Sequence, residues 1–117
     1  MTFTNRQKHS YAHYEVHDDQ HRLLWIGVLE TFGEHRFFAY VPNTDDWRRH
    51  IDLEQEFYGT NELVHFNKIS RVAAANLLVD APRIDESEGR WILSDLLSQE
   101  SLNFGDVFFA REESSVG

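Results

Sequence analysis

The sequence contains no cysteine, which excludes disulfides, thiolate metal sites and cysteine nucleophiles. That absence fits a reducing compartment, so the cytoplasm is the expected location. No apolar run approaches the roughly 20 residues that a membrane-spanning helix needs. The opening MTFTNRQKHS lacks a charged start followed by an apolar core, so neither a secretory signal nor a membrane partner is expected.

Glycine is sparse and scattered, six residues in all, and no closely spaced set precedes a helix to cradle a phosphate. Around Ser70, Ser87, Ser94 and Ser98 no G-x-S-x-G elbow occurs, and the chain has no H-E-x-x-H or EF-hand pattern. Local sequence therefore supports no enzyme, and no catalytic residue and no cofactor are expected. Basic residues are also few: 11 against 20 acidic ones, for a formal charge of −9. Such a chain repels phosphate backbones at long range. Arg22, Arg48, Arg49, Lys68 and Arg71 are too few, and too mixed with acids, to mark a nucleic-acid groove, so direct nucleic-acid binding is not expected. A basic partner protein is electrostatically easier.

What the chain does have is length for one core and an aromatic content that opposes disorder. Its 117 residues fit a single domain over 1–117, and aromatics make up 14%. Residues 1–9 and 111–117 read as flexible tails. The most informative stretch is 22–41, RLLWIGVLETFGEHRFFAYV, where two apolar runs flank a polar turn with a glycine. It reads as an antiparallel hairpin, with strands over about 22–30 and 36–41. Residues 10–17, SYAHYEVH, alternate as a first strand. Together they predict a three-stranded antiparallel meander.

Helical signals follow. Asn43 or Thr44 can cap a helix, with Asp45 and Asp46 favourable near its N-terminus; Trp47, Ile51, Glu54 and Tyr58 then share one side until Gly59. Residues 63–66, LVHF, suit a short strand or the lead-in to a helix. Residues 69–80 carry the apolar repeat of a second helix, ended by Pro82, and about 90–99 a third. Residues 102–109 suit a final strand or an aromatic latch. The expected fold is α+β, with the meander followed by two or three helices packed on one face.

Two constellations bear on function. Four of the seven histidines, His9, His13, His17 and His21, recur at a constant interval. On a strand, residues four apart lie roughly 13 Å from one another. Metal–nitrogen bonds are about 2 Å, so such neighbours cannot share an ion. His17 and His21 flank a turn and, with Asp18, form the one candidate metal set, in an alternative reading as a small-ligand or metal-binding domain, and in one form of it an enzyme, that uses strand-one His and Tyr residues. The other constellation is the sheet itself, whose strands are apolar on both sides. If Tyr14, Val16, Leu24, Ile26, Val28, Phe37, Ala39 and Val41 face the helices, then Tyr11, His13, Trp25, Phe38 and Tyr40 crowd the opposite side. Gly27 would then leave a dip beside Trp25. Aromatic residues with little charge around them suit an interface. The functional expectation is a small acidic interaction module. It would bind another protein or a second copy of itself through Tyr11, His13, Trp25, Gly27, Phe38 and Tyr40, acting by occlusion as an inhibitor, immunity, antitoxin-like or adaptor protein.

Overall fold

The alternating N-terminal segments form the expected meander, and the meander continues for one strand more. In the computed structural model, which describes residues 10–59, 64–103, 107 and 111–112, β1 (Ser10–Asp18), β2 (Leu23–Glu30) and β3 (Phe37–Val41) pair antiparallel in chain order. A fourth strand, β4 (Asp46–Arg49), pairs antiparallel with β3. The sequence reading expected the start of a helix there. The two readings part at the turn. Pro42 has a fixed φ suited to a reverse turn. Asp45 adopts the left-handed region at φ 54, which Asp tolerates better than most residues. The Asp45 N–H donates to the Val41 carbonyl at 2.8 Å, and the chain reverses instead of opening a helix. Trp47 thereby lands opposite Tyr40 and is fully buried.

The helix begins later, as α1 (Ile51–Tyr58), with Gly59 at its end. The ambiguous LVHF segment is a strand: β5 (Val64–Ile69) pairs antiparallel with the edge of β1 away from β2. Ser70 caps α2 (Arg71–Leu77), its side chain accepting from the Ala73 N–H, and a 3₁₀ turn (Leu78–Asp80) follows. Then come α3 (Arg90–Leu97), β6 (Ser101–Leu102) against β4, and β7 (Arg111–Glu112) parallel to β1. Among the described residues the antiparallel order is β5-β1-β2-β3-β4-β6, with β7 added on β1. The sheet is thus larger than the predicted meander, and Arg111 and Glu112 belong to it rather than to a tail. Residues 1–9 and 113–117, expected as tails, lie outside the described residues, as does most of 103–110; Val107 is described, and it is buried.

The helices cover both faces of the sheet, not one. Directly paired residues on neighbouring strands point to the same side. On one side Val16, Phe37 and Ala39 pack with Leu53 and Phe57 of α1, and with Tyr14, Trp25, Leu29, Val64 and Phe66. On the other, Tyr11, Ile26, Val28, Phe38, Tyr40 and Trp47 pack with Ala74 and Leu77 of α2, Leu78 of the 3₁₀ turn, and Val107. Two dry layers explain why the strands read as apolar on both sides. No helix among the described residues is long and apolar enough to cross a membrane.

Candidate functional site

The six residues expected to form an interaction surface are divided between the two layers. Val16 pairs with Trp25 and Tyr14 with Gly27, so Trp25 and Gly27 lie on the α1 side. Tyr11, His13, Phe38 and Tyr40 belong to the α2 side. Ile26 and Val28 join them there, opposite to the assignment made from sequence. Tyr11, His13, Gly27, Phe38 and Tyr40 are buried by the chain itself, His13 at 1% and Tyr40 at 8% relative exposure. They form core rather than an open face. The Tyr40 hydroxyl donates to Asp45, and burial followed by that hydrogen bond pushes the phenol up to about 12. The expected dip at Gly27 is filled. A Cβ there would lie 2.4 Å from Phe37 Cε1, so the missing side chain admits the Phe37 ring.

The metal alternative has its groups otherwise engaged. Asp18 accepts from the N–H groups of Gln20 at 2.8 Å and Arg22 at 3.0 Å, and from Arg22 Nε at 2.7 Å. The amide and guanidinium of Arg22 are the main reason its carboxyl lies below the ordinary range. His17 Nδ1 is 3.3 Å from the His21 carbonyl, and its Nε2 is 3.3 Å from Glu15. The segment is a polar hairpin turn with His21 in the left-handed region at φ 62. Among the described residues no group of three or more His, Cys, Asp or Glu is arranged to hold a metal ion.

The structure forms a different site, a cleft of about 270 Å³ between α1 and α3. Trp25, Leu53 and Val64 supply its apolar base. Asp52 and Glu56 contribute from α1 and His50 from the residue before it, and Trp91, Ile92, Asp95 and Leu96 from α3. His50 is the N-cap of α1, its Nδ1 accepting from the Leu53 N–H at 3.2 Å. Its ring meets Trp25 edge to face, with centroids 4.8 Å apart. Burial pushes the His50 pKa down, against a partial upward pull from Asp52 and Asp95. The imidazole is therefore neutral at pH 7, as its acceptor role requires. Burial, followed by repulsion from Asp52, raises the Glu56 carboxyl. Among the described residues no Arg or Lys forms an ion pair with Asp52 or Asp95.

Three arginines, Arg36, Arg48 and Arg49, are committed to other carboxylates. Arg36 binds Glu30 at 2.6–2.7 Å and also pairs with Glu100. Arg49 holds Glu54 at 2.8 Å, and Arg48 holds Asp46 at 3.0 Å while donating to the Leu97 carbonyl at 2.9 Å. Burial acts to raise the Glu54 carboxyl, but bonds from Arg49 and from the Phe37 N–H outweigh it and hold it below the ordinary range. The cleft is thus an acidic, aromatic-walled hollow, and Arg36, Arg48 and Arg49 are bound to other carboxylates. Sequence reasoning did not single out His50 and Trp91 as a site. It had no signal to join them, because they meet only through the packing of α3 beside α1. The comparisons leave this geometry to speak for itself: no family model, no curated protein and no solved structure matches the chain.

Proposed function

We propose that this chain is an acidic, cytoplasmic protein-interaction module that acts by binding and occlusion, without chemistry of its own. It docks a basic partner protein on the face formed by α1 and α3. The observation that carries this reading is the α1–α3 cleft. There, carboxylates from two helices stand beside Trp91, which is 73% exposed, on a chain of formal charge −9. An exposed tryptophan at a concave rim is a hot-spot residue in waiting. The surrounding negative charge steers a positive partner and raises the encounter rate. A second copy of this chain brings the same −9 and is disfavoured on charge. An inhibitor, immunity, antitoxin-like or adaptor protein all fit this mode of action. The sheet residues Tyr11, Phe38 and Tyr40 serve it as scaffold, not as contact surface.

A photo-crosslinking amino acid placed at position 91, with position 87 as an exposed control, tests the reading in cells that make the protein. The expected result is a discrete adduct from position 91 only. Its partner, once identified and purified, should bind with an affinity that falls as salt rises. An adduct of twice the chain mass, or equal labelling from both positions, would overturn it.

A further inference from the structure

Resting on that reading, we infer that the α1–α3 cleft is a receptor for one arginine side chain of the partner protein. Its volume, about 270 Å³, falls below the roughly 300–1,000 Å³ of cofactor and drug-sized sites. It matches a side chain better than a nucleotide or prosthetic group. Its lining combines two kinds of surface. Trp25 and Trp91 contribute indole rings, a group whose faces attract cations, and Leu53, Ile92 and Leu96 an apolar wall. Asp52, Glu56 and Asp95 offer carboxylates from both helices. A guanidinium satisfies both at once, because it is planar, stacks on aromatic faces and donates several N–H groups in a fixed fork. Lysine presents a compact, strongly hydrated point charge that satisfies the carboxylates but cannot stack. An anion meets only repulsion here. His50, neutral through burial and occupied as the helix cap, adds no opposing charge.

The three-carbon stem of arginine also has a place. It would lie on the apolar base while the head group reaches the carboxylates, as long cationic side chains commonly do. Arg48, Arg49 and Arg36 do not compete for the site, since each is bound to its own carboxylate.

The test is a titration of the purified chain with the peptide acetyl-Gly-Arg-Gly-amide, followed by the indole N–H resonances of the three tryptophans. Trp25→Phe and Trp91→Phe variants assign those resonances. The peptides with citrulline or lysine in place of arginine, and methylguanidinium, serve as controls. Saturable shifts of the Trp25 and Trp91 signals, with Trp47 unmoved, are expected for the arginine peptide. Citrulline should give none, and lysine and methylguanidinium should bind at least threefold more weakly. Asp95→Asn and Glu56→Gln should each weaken the arginine peptide at least threefold while leaving the circular dichroism spectrum unchanged. No shift at 50 mM peptide, an equal response to citrulline, or lysine binding as well as arginine would overturn the assignment. Equal binding of methylguanidinium would also overturn it, by pointing to a free small cation. A crosslinked partner that survives alongside such a failure leaves the interaction module standing and removes only the arginine receptor.

Discussion

At the scale of single residues, His50 and Gly27 carry the clearest consequences. His50 caps α1 through a ring nitrogen that accepts a hydrogen bond only when unprotonated. Its folded pKa lies below the ordinary value of 6.5, so the unfolded chain binds its proton more readily. The stability linked to this group is therefore present above pH 6.5 and lost as the pH falls through the lowered folded value. His50→Ala should cost about 1 kcal/mol at pH 7, the usual worth of an N-cap. His50→Asn should keep the cap and flatten the pH dependence between about pH 5 and 7. Urea denaturation across that range checks both. Gly27 acts by absence. Because a Cβ would sit 2.4 Å from a carbon of the buried Phe37 ring, Gly27→Ala should destabilise by about 1–3 kcal/mol. Gly27→Ala combined with Phe37→Leu should recover part of that loss, measured as a double-mutant cycle.

Among the elements, β4 and the charges around it show how far the chain's pattern could be read. The first three strands were legible because β1 alternates and β2 and β3 are short apolar runs bounded by turn signals. The expected helix start at 43–46 failed because Asn, Thr and Asp suit a tight turn as well as an N-cap, and Pro42 suits either. Only tertiary pairing, Trp47 against Tyr40, decides between them. The same limit explains the sheet faces. Alternation gives parity within a strand but not the register between strands, and a one-residue slip exchanges every side chain. β4 also ends in Arg49, which joins Glu54 and Glu100, while Arg36 joins Glu100 and Glu30. Glu30 is the buried member, with a side chain 2% exposed. Glu30→Ala should therefore cost about 1–3 kcal/mol, because the Arg36 N–H and guanidinium lose their buried acceptor while Glu100 still pairs with the guanidinium. Exposed pairs such as Arg83 with Glu86 should contribute little when removed. Thermal denaturation of the two single variants separates the cases.

For the whole molecule, the doubly apolar sheet that first suggested a waiting surface is closed by its own helices, one layer under α1 and the other under α2. The face proposed for binding is instead that of α1 and α3; of the residues first chosen, Trp25 lines its cleft, while Tyr11, His13, Gly27, Phe38 and Tyr40 are buried in the two layers. The two roles predict opposite outcomes for a charge substitution. Tyr40→Glu places a carboxylate in the core and should cost more than about 3 kcal/mol, leaving the chain unfolded or molten. Trp91→Glu changes an exposed position and should shift stability by no more than about 0.5 kcal/mol, while abolishing partner capture. Circular dichroism and the affinity of each variant for the purified partner, read together, check the pair. The order of strands has a consequence for synthesis as well. Along the edge of β1 away from β2, Ser10 and Tyr11 meet residues 111–112, and His13 to Asp18 meet residues 64–69. A nascent chain can thus complete its four-stranded meander while that flank of its first strand is still bare main chain, a template for pairing with a neighbouring polypeptide. The ribosome must deliver β5 before that flank is largely capped, and β7 before the cap is finished, so the speed of translation between residues 49 and 69 sets how long most of that flank stays adhesive.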